Sequence, residues 1–197
     1  MHVAVLLFDD FETLDVFGPV EIFGRLKEYY QVSFYSVWGG MVKNLDGVAM
    51  QSENLQDIQQ GTDIFLIPGG YGTRKEVNNM FLIHKVREIS RSSNYVLTVC
   101  MGSALLAKTG LLDGKKATSN KEAFDWVTLQ GRKVNWIRKA RWTKDGNFYT
   151  SAGVSAGMDM TLGFLNDIHG TEFARKTAFA IEYNWQEDME EDNFSQL

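Results

Sequence analysis

The sequence predicts an α/β fold: a doubly wound, mostly parallel sheet with helices on both faces, plus a small β-hairpin. Three observations carry this reading. Apolar runs at residues 3–8, 63–67 and 95–99 lack polar alternation, as strands covered on both sides do. Segments with helical spacing separate them. Each of the three runs ends in unusual chemistry: an acidic loop, a Pro-Gly-Gly loop and a cysteine-bearing break.

In order, Val3-Ala4-Val5-Leu6-Leu7-Phe8 is the first strand, and Asp9-Asp10-Phe11-Glu12-Thr13-Leu14-Asp15 is its acidic loop. Residues 16–29 show helical spacing through Val16, Val20, Ile22, Phe23 and Leu26, with Pro19 tolerated in the first turn. Residues 32–37 are a second strand, and the polar stretch 38–60 reads as a short hairpin and a brief helix. A third strand at 63–67 enters the loop Pro68-Gly69-Gly70-Tyr71-Gly72, and a helix over 75–91 follows. The strand 95–99 then breaks into Ser103-Ala104-Leu105-Leu106-Ala107-Lys108-Thr109, good helix formers stopped by Gly110.

Beyond a turn at 111–114 and the stretch Lys116-Ala117-Thr118-Ser119-Asn120, a short helix is expected over 122–129. Residues 137–142 and 147–150, joined by Lys144-Asp145-Gly146, read as a hairpin. Ser151-Ala152-Gly153-Val154-Ser155-Ala156-Gly157 opens a helix to 165, and a last helix spans 171–183. Residues 1–197 are expected to form one domain, with 186–197 a solvated acidic tail carrying no chemistry.

Composition narrows the function classes. A net charge of −5 argues against a nucleic-acid partner, which wants a clustered basic face. A single cysteine excludes an internal disulfide and fits a reducing cytoplasm. His2, His84 and His169 are scattered without metal-ligand spacing, so neither metal nor cofactor is expected. The N-terminus reads as a strand and not a signal peptide, and no apolar run approaches the ~20 residues a membrane span needs.

The chemistry concentrates at Tyr95-Val96-Leu97-Thr98-Val99-Cys100-Met101-Gly102-Ser103-Ala104. Cys100 sits where a strand hands over to a helix, beside unpaired N–H groups that favour a thiolate and can hold an oxyanion. The pattern resembles a nucleophile elbow, with Gly102 two residues on but Thr98 where a glycine usually stands. A lone cysteine is also, quite commonly, a small core hydrophobe. Strand ends of an open α/β sheet lie side by side, so the Gly69-Gly70 loop should reach Cys100. The Gly70 N–H is then a second candidate oxyanion donor beside that of Met101, although Gly-Gly alone equally makes a tight turn. Asp9, Asp10, Glu12 and Asp15 are candidate acids. Asp15 either caps the helix that follows it or, protonated, donates to the sulfur and serves as a general acid.

Leu7-Phe8, Leu14-Asp15-Val16-Phe17-Gly18-Pro19, Ile67-Pro68-Gly69-Gly70, Val99-Cys100-Met101-Gly102 and the 151–157 stretch together resemble the ThiJ/PfpI superfamily, in motif order and over nearly the whole chain. The resemblance implies a flavodoxin-like, class I glutamine-amidotransferase-like fold. The Leu-Asp-x-x-Gly-Pro start and the Ser-Ala-Gly-Val-Ser-Ala-Gly stretch are most similar to the isonitrile hydratase branch and the sensor halves of AraC-type regulators, here without a helix-turn-helix half. The resemblance implies Cys100 as nucleophile, Asp15 as the acid hydrogen-bonded to it, oxyanion donors at Gly70 and Met101, and a homodimer that helps close the site. Two positions depart from the family pattern. Met101 stands where the protease-like branch carries His and the hydratase branch Thr, and Asn120 stands where several branches carry His. With no other histidine placed near Cys100, peptidase chemistry is not expected.

The leading expectation is a small-molecule hydratase or hydrolase of isonitrile-hydratase type built on Cys100 and Asp15. The alternatives are a glyoxalase or deglycase acting on methylglyoxal adducts, and a non-catalytic redox or ligand sensor using an oxidisable thiol. Gly69, Asn120 and Ser151 are expected at the pocket. Trp126, Trp142 and Trp185 read as core by default, and Ser155 and Asp159 as capping or pocket residues.

Overall fold

The computed structural model describes residues 1–58 and 62–197, so the end of the expected 38–60 stretch lies outside the described residues. The strands are β1 (His2–Leu6), β2 (Gln31–Ser36), β3 (Gly40–Lys43), β4 (Ala49–Asn54), β5 (Ile64–Ile67), β6 (Tyr95–Thr98), β7 (Lys116–Ala117), β8 (Asn135–Trp136), β9 (Trp142–Asp145) and β10 (Phe148–Ser151). The helices are α1 (Thr13–Arg25), α2 (Thr73–Glu76), α3 (Met80–Ser92), α4 (Gly102–Lys108), α5 (Phe124–Thr128), α6 (Ala156–His169) and α7 (Thr171–Ala180).

Eight strands form one sheet in the order β3-β4-β2-β1-β5-β6-β10-β9. All neighbours from β4 to β10 pair parallel, and the outer pairs β3–β4 and β9–β10 are antiparallel. The apolar runs lie at the centre: every residue of β5 is buried, as are Val3 to Leu6 of β1 and Val96 to Thr98 of β6. Helices α1, α6 and α7 pack on one another, while α2, α3 and α5 gather around α4, as two layers flanking a sheet do. Among the described residues no helix is long and apolar enough to cross a membrane.

Several boundaries differ from the sequence reading, each for a local reason. Helix α1 begins at Thr13, so Asp15 lies inside its first turn, and Pro19 falls in the second turn, where its missing N–H leaves the Asp15 carbonyl without the usual helical donor. The expected helix 75–91 is two helices, because Asn79 Oδ1 accepts the Leu82 N–H and starts α3 afresh. Residues 137–141 are not strand; the hairpin is β9–β10, with Gly146 (φ +64) at its turn. Ser151 ends β10 instead of opening α6, which runs on to His169, and α7 stops at Ala180.

In the acidic tail residues 186–188, 190 and 191 are exposed as expected, and Asp192 is the exception. Arg141 N–H donates to the Met189 carbonyl at 2.8 Å and Asp192 N–H to the Lys139 carbonyl at 2.9 Å, folding the segment back onto the body. Asp192 is only 4% exposed. Charge composition suggested solvation, but partners more than fifty positions away supply the countercharge.

Candidate active site

Cys100 follows β6 and Val99 and adopts φ +55, a left-handed conformation strained for a residue with a side chain. Three hydrogen bonds hold it there. Its N–H donates to the Ala152 carbonyl at 3.2 Å, and its own carbonyl accepts the Ser103 hydroxyl at 3.1 Å and the Ser119 hydroxyl at 2.8 Å. The two serines escaped the sequence reading, because a hydroxyl serving a backbone carbonyl leaves no motif. Gly102 lets the following helix start against β5: a Cβ there would stand 2.3 Å from the Ile67 carbonyl oxygen.

Asp15 is fully buried and caps nothing in α1; its Oδ2 accepts the Gly69 N–H at 2.8 Å. Its Oδ1 has no hydrogen-bond partner among the described residues. Gly69 joins the pair, since a Cβ on it would lie 2.9 Å from Asp15 Oδ2, 3.0 Å from Cys100 Cβ and 2.5 Å from Met101 N. Of the four acids considered, only Asp15 meets the sulfur from the interior. Asp9 accepts the Lys43 N–H, and the Asp10 carbonyl accepts the Gly72 N–H. Glu12 is half-buried nearby, and burial with the Asp46 charge holds its carboxyl above the usual range.

The electrostatics act against one expectation, that of a thiolate at Cys100. Burial pushes the Cys100 thiol well up, the Asp15 charge adds to this, and the Met101 and Val154 N–H groups that face the sulfur oppose it. Burial likewise pushes Asp15 well up, with the Glu12 charge adding, against the Gly69 N–H and the Cys100 hydrogen bond. Both groups of the pair are therefore pushed toward their protonated forms, against the helix-end amides that favour a thiolate. Helix-end amides are present, but with the residue only 3% exposed, desolvation outweighs them.

Gly70 (φ +118) lies where a Cβ would meet Glu12 N at 2.3 Å and Asp10 O at 2.5 Å, so the acidic loop itself demands a glycine. Its N–H donates to no acceptor among the described residues. Asn120 Oδ1 accepts the Ala123 N–H at 2.8 Å, and its side chain lines a cavity of about 220 Å³ with Gly153, Val154, Ser155, Phe194 and Leu197. Ser151 is fully buried and donates toward the Thr98 and Ala152 carbonyls at 3.4 and 3.3 Å, bracing β10 on β6. Gly69 packs against both members of the pair. Trp142 is core, Trp126 is half-buried beneath the Arg74 guanidinium, and Trp185 Nε1 donates to the Asp159 carbonyl. The histidines are engaged elsewhere, His2 with Thr62, His84 with Glu88 and His169 with Tyr30.

Beside the cavity lies a buried charge cluster that sequence reasoning missed. Arg141 donates to Asp159 Oδ2 (2.7 and 3.0 Å), Ser155 Oγ (3.1 Å) and Asp192 Oδ1 (3.3 Å), and Lys121 Nζ lies 3.6 Å from Asp192 Oδ2. Burial pushes Lys121 down to about 8 against the pull of Asp192. Ser155 and Asp159 thus serve Arg141, neither capping α6 nor standing free.

Comparison with known proteins fits this architecture. The chain is 28% identical over 186 residues to an isonitrile hydratase of Pseudomonas putida, covering 93% of this chain and 78% of that protein. It is 28% identical over 183 residues to the HTH-type transcriptional regulator GbdR of Pseudomonas aeruginosa, but spans only 48% of that regulator's length. A crystal structure of a ThiJ/PfpI family protein from Pseudomonas syringae superposes with a TM-score of 0.85 at 25% identity, over 94% of this chain and 76% of that one. The family model described as DJ-1/PfpI matches residues 1–167, and the chain is a member of the DJ-1/PfpI family.

Proposed function

We propose that this protein is a small-molecule hydratase of isonitrile-hydratase type, with Cys100 as nucleophile and Asp15 as proton carrier. The observation that carries the reading is the buried acid–thiol pair around Gly69, with burial pushing both partners up and every histidine engaged elsewhere. The similarity to an isonitrile hydratase supports the substrate class.

In the reaction, the sulfur adds to the terminal carbon of R–N≡C while Asp15 gives its proton to that carbon and takes up the thiol proton, yielding the thioimidate R–N=CH–S–Cys100. The unpartnered Oδ1 suits Asp15 to accept one proton while releasing another. Asp15 then passes that proton to the imidate nitrogen as it takes one from the water adding to the carbon, giving R–NH–CH(OH)–S–Cys100, whose hydroxyl proton goes to the sulfur in the last step. The C–S bond breaks, the sulfur regains its proton, and an N-substituted formamide leaves. Gly70 and Met101 N–H groups steady the negative charge that develops during water addition.

The test is formamide production from a simple alkyl isonitrile, followed by liquid chromatography. Cys100→Ala and Asp15→Asn are expected to lower the rate at least 100-fold. No turnover by the wild-type protein, or full turnover by Cys100→Ala, refutes the reading.

A further inference from the structure

Two hydrogen-bonded paths lead from Arg141 toward Cys100. Along the backbone, the Arg141 carbonyl accepts the Ala152 N–H at 2.8 Å, and the Ala152 carbonyl accepts the Cys100 N–H at 3.2 Å. Through the side chain, the guanidinium holds Ser155 Oγ at 3.1 Å and Asp159 Oδ2 at 2.7 Å. Residues 152–155 are thus gripped at both ends by one residue. Between the grips Val154 adopts φ +45, a conformation a β-branched residue keeps only when its surroundings enforce it. The Val154 N–H faces the Cys100 sulfur. Asp192 of the C-terminal segment accepts from the same guanidinium at 3.3 Å.

We propose that Arg141 is a positioning residue for the Cys100 thiol, holding residues 152–155 in the strained turn that aims the Val154 N–H at the sulfur, with docked Asp192 keeping the guanidinium in place. An N–H aimed at sulfur favours thiolate over thiol. The turn therefore supplies part of the ionised form needed for attack, in a site where burial, Asp15 on α1 and Glu12 just before it act in the opposite direction. The Met101 and Val154 amides act for the ionised form; the Arg141 charge is neutralised by Asp159 and Asp192 and works through the turn.

The inference deepens the proposed role of Cys100 and takes its catalytic meaning from it, but its test needs no substrate. Alkylation of Cys100 by iodoacetamide is followed by intact mass from pH 6 to 10, for the wild-type protein, Ser155→Ala, Arg141→Lys and Lys144→Ala. The last breaks the pair between Lys144 on β9, close to Arg141 in the chain, and Asp167 on α6, and serves as control. Ser155→Ala and Arg141→Lys are expected to slow alkylation at least threefold at pH 8 and move the profile to higher pH, with Lys144→Ala unchanged. An unchanged profile overturns the proposal. Faster alkylation overturns it as well, because the turn would then be shielding the thiol. Should Arg141→Lys fail to fold, Ser155→Ala decides alone. Shifted profiles in a protein that hydrates no isonitrile would leave the positioning role standing and remove only the hydratase reading.

Discussion

Asp192→Asn removes one charge from a cluster of two cations, Lys121 and Arg141, and two anions, Asp159 and Asp192, whose side chains are 9% exposed or less. Taking one partner from a buried pair typically costs about 3–5 kcal/mol, because the other charge is left uncompensated. Here Lys121 Nζ keeps the Thr118 hydroxyl at 3.0 Å and the Ala140 carbonyl at 2.6 Å, and Arg141 keeps Asp159 and Ser155. The lower end, about 3 kcal/mol, is therefore expected. For a chain of this size, that corresponds to a fall in Tm of roughly 6–12 °C. A solvated tail residue would change stability by no more than about 0.5 kcal/mol. The deficit also has a pH signature. Lys121 titrates at about 8 in the folded chain, against about 10.4 unfolded, so between those values the unfolded chain binds more protons and stability rises with pH. Losing the Asp192 charge lowers Lys121 further, so the variant begins this rise at lower pH. Its deficit should narrow as pH approaches 8 and stay constant above it. Thermal unfolding followed by near-UV circular dichroism at pH 6, 7, 8 and 9 measures both features. A Tm within about 2 °C of wild type, flat across pH, would refute the docked-tail argument.

Two further outcomes follow from the site. Burial holds the Asp15 carboxyl above its unfolded range, so the folded chain retains a proton that the unfolded chain gives up, and wild-type stability declines as pH rises through that window. Asp15→Asn, expected to lose turnover under the proposed function, should accordingly gain stability relative to wild type between pH 4 and 7, read from urea midpoints; a variant that loses ground over that range would mean an ionised carboxylate. Gly102→Ala places a Cβ 2.3 Å from the Ile67 carbonyl oxygen and 2.8 Å from that of Pro68, rigid backbone in both cases. It should cost about 1–3 kcal/mol and alter Cys100 alkylation, and a fully stable variant with wild-type alkylation would contradict this packing.

What the sequence determined by itself is whatever depends on neighbours along the chain. The runs 3–8, 63–67 and 95–99 became the central strands because, Asp63 at one edge and Thr98 apart, their side chains are apolar enough to be covered twice. The break at Cys100 was legible because β-branched residues give way to alanine and leucine within a few positions. What only the tertiary structure decided depends on partners far away in the chain. By its residues alone Asp15 was one acid among four, singled out only by the resemblance; its burial and its bond from the Gly69 amide, 54 residues on, belong to the tertiary structure. The acidic tail looked solvated because nothing local to Asp192 reveals Lys121 and Arg141 waiting beneath it. Nor could helix-end amides, a local feature, foretell the upward push on the Cys100 thiol, because that depends on how much water the surrounding fold removes.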